Sequence, residues 1–326
     1  MARSRRPPRP DSLCDVPGVR VGNADDVRRA TGVTVVRFAR AAPTVLLVLG
    51  GASATYDTSS LALDATFGRR WAIFFAGGSV FGLDAGRGVR DALLRSGEGH
   101  RVFGHRRKVA PVAGATLFDF PRDAHSPLPD YTRLAERATD SATRSVVPNG
   151  RVGAGRGALV GKYLGRGRAS PGGIGSAARR LVGLGWVGAL AVVNAVGAVR
   201  DAETGTWVSG ARERDGTIVP PGPGRRREVG RSPTADGTTL VSVVTDIGLD
   251  RPRLFRAAKI AAGGLARSII PVATATDGDV LFMSTTGEGR RTPPEQYPGA
   301  WADQAGWAAA EAIARAVVRA VAAPPG

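Results

Sequence analysis

Short apolar runs in the first third of the chain restrict its fold more than any other feature. Four of them are GVTVVRF (32–38), TVLLVLG (44–50), WAIFFAGG (71–78) and APVAGATLFDF (110–120). Each is bounded by Gly, Pro or Asp and is rich in β-branched or aromatic residues, which is typical of buried strands. Runs of the same character occur later, at 186–197, 238–245 and 279–285. The sequence therefore predicts extensive buried sheet.

Helical patterns alternate irregularly with these runs. In segment 82–99, Val89, Ala92 and Leu93 follow i, i+3, i+4 spacing and Gly97 closes the helix. Further helices are predicted at 129–144, 250–268 and 301–322, whereas 150–176 is rich in glycine and is predicted to be a loop. No regular βαβ order and no internal repeat is present, so we expect sheets layered with helices in one domain.

The net charge of +17 raises the question of a nucleic-acid partner. Of the 45 basic residues only three are lysines, the arginines are scattered, and the aromatic residues (6%) do not interleave with the basic clusters. A stacking surface for bases needs such interleaving, so no nucleic-acid partner is predicted. The apolar runs are too short and too often broken by glycine to cross a bilayer, so no membrane partner is predicted either.

The few cysteines and histidines limit which disulfides, metal sites and catalytic groups the chain can form. Cys14 is the only cysteine, which excludes an internal disulfide and any multi-cysteine metal site. Residues 1–13 are basic and proline-rich without a following apolar segment, so we expect a disordered tail, no signal peptide and a cytoplasmic protein. The three histidines fall in one polar stretch before residue 126, where a solvated surface is the favoured interpretation. No metal and no organic cofactor is expected.

A hydroxyl can be activated without histidine or metal by an amine, and a threonine at a chain terminus carries its own. Residues 210–237 are dominated by Pro, Gly, Arg and Asp, which predicts an exposed, protease-accessible loop. The loop ends at Gly237, followed by Thr238, Thr239 and the apolar strand 238–245. One interpretation is an ordinary glycine turn that opens a strand. The other is a self-cleavage site whose new terminus is a nucleophile.

The wider motif pattern favours the second interpretation. In order, the motifs are DVPGVRVGNADD, GGSVFGLDAGRGV, VGAGRGALVGK, GGIGSA, GALAVVNAVGAVRD, TTLVSVVTD and GGLARSIIPVATATDGDVLF. Over nearly all of 14–322, the chain resembles the family of L-aminopeptidase/D-esterase, β-peptidyl aminopeptidase and nylon-oligomer hydrolase, to which a pantetheine hydrolase of carbapenem biosynthesis is also related. The resemblance implies a single-domain α/β fold, an αββα four-layer sandwich.

The resemblance also implies self-cleavage ahead of a Ser or Thr, and the matching position is Thr238. An α chain (1–237) and a β chain (238–326) of 89 residues (326 − 237) would result. Thr239, the next residue, is the alternative nucleophile.

Asn194, in VVNAVG, matches the asparagine that supports the oxyanion in the family. The other interpretation is a structural amide at the end of a strand.

Three more residues are assigned through the resemblance. Lys162 corresponds approximately to a family lysine and would favour the unprotonated terminal amine. Asp277 and Asp279 match an acidic pair that could hold the amine and the hydroxyl in line, because positions i and i+2 can face the same side. An Asp-Gly turn would account for Asp277 but not for Asp279.

The chain departs from the family at Pro171, Arg156 and Phe118, where relatives commonly carry lysine, threonine and, in some, tyrosine. These changes leave the substrate open among short peptides, β-peptides, oligoamides and pantetheine-like amides. We expect a self-processing threonine hydrolase of amide bonds that assembles into a homo-oligomer of αβ units. The alternative is a processing-inactive homologue that binds an acidic ligand through its basic surface.

Overall fold

Helices and strands occupy most of the segments that sequence periodicity predicts. The computed structural model describes residues 11–102, 104–120, 127–223, 237–287 and 299–322. The strands in these ranges are β1 (Val19–Asp26), β2 (Thr31–Val48), β3 (Ala54–Tyr56), β4 (Arg69–Ala76), β5 (His100–Arg101), β6 (Lys108–Val109), β7 (Val112–Thr116), β8 (Leu159–Val160), β9 (Ser170–Pro171), β10 (Gly173–Leu181), β11 (Gly185–Asn194), β12 (Ala198–Arg200), β13 (Trp207–Ser209), β14 (Thr238–Thr245), β15 (Ile269–Ile270) and β16 (Val280–Thr285). The helices are α1 (Ala85–Arg95), α2 (Tyr131–Asp140), α3 (Arg251–Ala261), α4 (Gly263–Ser268) and α5 (Ala300–Ala322).

Two predicted elements are wrong in extent. The loop predicted over 150–176 gives way to β10 at Gly173, and the helix predicted over 250–268 is interrupted at Ala262. The glycines of β10 serve close packing: a Cβ on Gly175 would lie 2.0 Å from the Ala316 carbonyl oxygen of α5. A glycine-rich segment therefore forms a strand here because a helix must lie directly on it.

One long strand links two sheets. Hydrogen bonds run in the order β10-β11-β14-β16-β2-β4-β7-β3, with β1 also paired to β2. The first half of β2 pairs with β1 and β4, its second half pairs with β16, and the register shifts between Arg37 and Ala42. The irregularity bends β2 from one sheet into the other.

Side-chain alternation along the strands defines the layers. In β4, Ile73 and Phe75 face the space between the sheets, and Phe74 faces α1 and α2. In β11, Leu190 contributes to the same space between the sheets, whereas Ala189 packs against α3, α4 and α5. The three interfaces make a four-layer αββα sandwich in one domain, so the predicted fold class is confirmed.

The predicted boundaries of the exposed segments need adjustment. Residues 1–10 of the predicted tail lie outside the described residues, but Leu13 is fully buried and Asp11 pairs with Arg315 (2.8 Å) and Arg319 (2.5 Å). The tail prediction is therefore wrong for 11–13. Of the loop predicted over 210–237, residues 212–217 are exposed and 224–236 lie outside the described residues.

Within the described ranges, no helix is long and apolar enough to span a membrane.

Candidate active site

The sheet brings the predicted site residues to one edge. Thr238 is the first residue of β14, which runs parallel to β16, so Asp279 lies beside it directly before β16. β11 runs antiparallel to β14 and ends there, with Asn194 opposite Thr238. Gly237 forms a bridge with Asp277. Residues separated by up to 85 positions in the sequence are thus adjacent because of strand direction and register.

The two threonines face opposite layers. Leu240 packs between the sheets, and strand alternation places Thr238 on that same side, with Asn194 as its cross-strand neighbour. Thr239 shares the other side with Val241, which packs in the helix-facing core. Only the hydroxyl of Thr238 is therefore on the face that carries the asparagine.

The carbonyl before Thr238 is held from two directions. The Thr238 hydroxyl donates to the Gly237 carbonyl oxygen at 2.5 Å, and the Gly278 N–H donates to the same oxygen at 2.8 Å. Two donors on one carbonyl oxygen polarise it and would stabilise negative charge that develops there. The resemblance did not point to Gly278, since its contribution comes from the backbone.

Position 237 must be glycine because the Asp277 carboxyl lies directly against it. A Cβ at this position would lie 1.8 Å from Asp277 Oδ1, so no side chain fits. The other oxygen, Asp277 Oδ2, accepts from the Thr274 N–H (3.0 Å) and hydroxyl (2.7 Å). Asp277 Oδ1 has no hydrogen-bond partner among the described residues. A buried acceptor therefore lies beside the Gly237–Thr238 peptide bond.

Asp279 holds the backbone on the other side of this bond. Its carboxyl accepts from the Thr239 N–H and, at 2.8 Å, from the Ala273 N–H. Burial, and then the charge of Asp277 nearby, raise the pKa of Asp279. The pair predicted from the Asp-Gly-Asp motif is close enough for the two carboxyls to interact.

Asn194 and Lys162 are buried and mutually connected. The Leu159 N–H donates to Asn194 Oδ1 at 3.0 Å, and Asn194 Nδ2 donates to the Phe118 carbonyl at 3.1 Å. Lys162 Nζ donates to the Asn194 carbonyl at 2.7 Å, from a helical turn that begins after Gly161. The amide plane of Asn194 is thereby fixed at both ends, and a cation lies on its backbone.

An acid that sequence reasoning missed lies one residue from Phe118. Asp119 is 5% exposed and accepts from the Thr31 hydroxyl (2.6 Å) and the Gly78 N–H (2.8 Å). Burial raises its pKa from 3.8 to about 6. The available signal was an acid inside the otherwise apolar run that ends at Phe120.

We expect the Asp119→Asn variant to lose part of the pH dependence of stability. The folded state keeps the Asp119 proton up to about pH 6, whereas the unfolded chain releases it near pH 3.8. Because of this difference, the free energy of unfolding falls by about 3 kcal/mol between pH 4 and 6. Urea unfolding at pH 4, 5, 6 and 7, in an uncut Thr238→Ala background, measures the slope. Parallel plots of unfolding free energy against pH for the Asp119→Asn variant and its parent would contradict this prediction.

The three departures from the family have different surroundings. The Phe118 ring stacks edge-on with Phe120 at 5.1 Å, and the Arg166 guanidinium lies 5.9 Å from its centre. Pro171 is exposed and pairs with Leu159. Arg156 donates to a backbone carbonyl of its own loop at 3.1 Å. Phe118 is therefore the departure with a backbone contact to a predicted catalytic residue.

No group of three or more His, Cys, Asp or Glu side chains in the described ranges is arranged to hold a metal ion. The polar groups at this edge are instead a hydroxyl, an amide, an ammonium and two carboxyls. This set is suited to proton transfer and to stabilising an oxyanion at an acyl group.

Two solved structures share the fold. A Burkholderia sp. beta-aminopeptidase matches with a TM-score of 0.62 and 24% identity, over 98% of this chain and 88% of its own. The L-aminopeptidase D-Ala-esterase/amidase of Ochrobactrum anthropi, described as a variant among the Ntn hydrolase fold, matches with a TM-score of 0.64 and 19% identity, over 95% of this chain and 85% of its own. The chain therefore shares its fold with these two proteins.

Proteins of similar sequence narrow the class of enzyme to which the chain belongs. A 6-aminohexanoate-oligomer endohydrolase of Paenarthrobacter ureafaciens is 34% identical over 281 residues, which is 84% of this chain and 74% of that protein. An uncharacterized aminopeptidase of Mycobacterium leprae (strain TN) is 33% identical over 337 residues, 95% of this chain and 90% of that protein. Fold and relatives together define a hydrolase that acts on amide bonds. The family model of peptidase family S58 matches residues 11–325, and the chain belongs to that family. The predicted family and enzyme class are confirmed.

Proposed function

We propose that the protein cuts itself between Gly237 and Thr238 and then hydrolyses amide bonds with the new N-terminal threonine. The observation that carries the proposal is the pair of donors on the Gly237 carbonyl oxygen, the Thr238 hydroxyl at 2.5 Å and the Gly278 N–H at 2.8 Å. A hydroxyl that contacts its own preceding carbonyl group is close to the carbon that it must attack.

The cut follows from ordinary acyl chemistry. The Thr238 Oγ1 adds to the Gly237 carbonyl carbon, and the Gly278 N–H stabilises the oxyanion that forms. The C–N bond breaks, the nitrogen of Thr238 takes up the proton, and an ester joins Gly237 to Oγ1. Water hydrolyses the ester, which leaves a carboxylate on Gly237 and an amine and a hydroxyl on Thr238.

The mature enzyme would reuse the same groups. The terminal amine of Thr238 accepts the hydroxyl proton as Oγ1 attacks the substrate carbonyl. Asp277 Oδ1, which lacks a partner in the described part of the chain, lies where that amine is released and can accept its hydrogen bond. Asn194 donates to the oxyanion, and Lys162 favours the neutral amine by its charge.

The substrate class that we propose is a linear amide, such as an oligoamide or short peptide. Its support is the relatives' activity on 6-aminohexanoate oligomers and the aminopeptidase name of others. The proposal keeps the expectations of a homo-oligomer of αβ units and of a cytoplasmic location. The alternative, a processing-inactive protein that binds an acidic ligand through its basic surface, rests on the net charge of +17.

Amine release tests the activity. We expect the cut protein to liberate amino groups from at least one of a linear 6-aminohexanoate oligomer, a β-dipeptide and an L-alanine anilide, as measured by mass spectrometry of the products. The Thr238→Ala chain is the control and should release none. A chain that stays whole, releases nothing and retains a polyanionic ligand in equilibrium dialysis would favour the binding-protein alternative.

A further inference from the structure

Asp119 is a buried acid beside the backbone that contacts the Asn194 side chain. Its carboxyl is buried, and its neighbour Phe118 supplies the carbonyl that accepts from Asn194 Nδ2 at 3.1 Å. The proposed reaction uses Asn194 and leaves Asp119 without a role. A buried acid at this place costs free energy unless its hydrogen bonds compensate, which calls for an explanation.

The carboxyl of Asp119 ties together the ends of three strands. It follows β7, accepts from the hydroxyl of Thr31 at the start of β2, and accepts from the N–H of Gly78 just after β4. The Tyr131 hydroxyl of α2 lies 3.3 Å from the Thr31 hydroxyl. A Cβ on Gly77 would lie 2.1 Å from Asp119 Oδ2, so the backbone leaves space for the carboxyl.

The same carboxyl packs against the second segment that holds Asn194. A Cβ on Gly157 would lie 3.1 Å from Asp119 Oδ2, and two residues later the Leu159 N–H donates to Asn194 Oδ1 at 3.0 Å. These two hydrogen bonds of the Asn194 amide therefore come from backbone segments that adjoin Asp119.

We propose that Asp119, oriented by the Thr31 hydroxyl, is a positioning residue that fixes the amide of Asn194 for oxyanion stabilisation. The inference rests on the proposed function. In this role the Asp119 carboxyl acts through the backbone that holds Asn194. Loss of the Thr31 hydroxyl would loosen the Asp119 carboxyl and let the Asn194 amide leave its productive orientation, which slows the chemical step rather than substrate binding.

Thr31→Val and Thr31→Ser test this role. Valine keeps the shape of the side chain and removes the hydroxyl, and serine keeps the hydroxyl. With whichever amide the wild type hydrolyses, and rates normalised to the amount of cut chain, we expect Thr31→Val to lower kcat about tenfold or more with KM within twofold. Thr31→Ser should stay within twofold of wild type. Asp119→Asn, which cannot accept from both Thr31 and Gly78, provides the same comparison if Thr31→Val does not fold.

Thr44→Val is the matched control. It removes a buried hydroxyl that bonds to the Ser284 hydroxyl at 2.9 Å, at the opposite end of β16 from Asp279. We expect it to lower stability without lowering kcat. A wild-type kcat in Thr31→Val, a rise in KM alone, or an equal fall of kcat in Thr44→Val would overturn the positioning role. A wild-type protein without hydrolytic activity would instead overturn the proposed function.

Discussion

The Thr238→Ala variant is expected to remain a single chain of 33.7 kDa, whereas the wild type separates into chains of 237 and 89 residues. Alanine removes the hydroxyl that contacts the Gly237 carbonyl, and the Gly278 N–H can polarise that carbonyl but cannot attack it. Without the ester intermediate, the peptide bond keeps its ordinary stability. Denaturing gel electrophoresis and intact-mass measurement of freshly purified protein give the result.

Thr239→Val is the matched control for this change. The Thr239 side chain is buried on the helix-facing side, and valine replaces its hydroxyl with a methyl group of similar size. We expect this variant to split as the wild type does, with an N-terminal sequence that begins at Thr238. A whole Thr239→Val chain, or a fragment that begins at residue 239, would transfer the nucleophile to Thr239. A wild type that stays whole would remove the basis of self-processing.

The Asn194→Ala variant is expected to lower kcat about a hundredfold to a thousandfold, the usual effect of losing one oxyanion donor. Asn194 lies opposite Thr238 on the same face of the sheet, and in the proposed mechanism its amide donates to the oxyanion. The donor acts mainly in the transition state, so KM should change little. Steady-state kinetics normalised to the amount of 89-residue chain measure both constants. The cut itself should persist, because the Gly278 N–H already donates to the Gly237 carbonyl.

Asn149→Ala separates this effect from the general loss of an asparagine. Asn149 also holds a strand, since its Oδ1 accepts from the Ser176 N–H at 3.1 Å, but that strand is β10 at the sheet edge rather than β11. We expect Asn149→Ala to retain kcat within about threefold. Equal losses in the two variants, or a rise of KM without a fall of kcat in Asn194→Ala, would favour the structural-amide interpretation of Asn194.

Local sequence patterns predicted many of the longer strands and helices because each of these carries its own signal. The runs that became β4 and β11 alternate between two buried faces, and both strands are apolar over most of their length. β10 escaped prediction because its glycines resemble a loop locally. Their purpose is contact with the backbone of α5, more than a hundred residues further along the chain. No local pattern contains that information.

The candidate site likewise contains residues that the sequence predicted and residues that it did not. Thr238, Asn194 and the Asp277–Asp279 pair were assigned through motif resemblance, and the register of β11, β14 and β16 brings them together. Asp119 could not be assigned because its proposed role depends on a hydrogen bond from the Thr31 hydroxyl, 88 residues earlier in the sequence. Gly278 contributes only its backbone N–H, a group that every non-proline residue carries.

The strand order has a consequence for the lifetime of the protein after the proposed cut. β14 and β16, which would both belong to the 89-residue chain, lie at the centre of the sheet, between β11 and β2, which would belong to the longer chain. Neither piece can leave from an edge, so separation requires opening the middle of the sandwich. If the proposed cut occurs, refolding becomes an encounter of two molecules. The lifetime of the cut protein would then depend on its rate of unfolding, not on a reversible folding equilibrium.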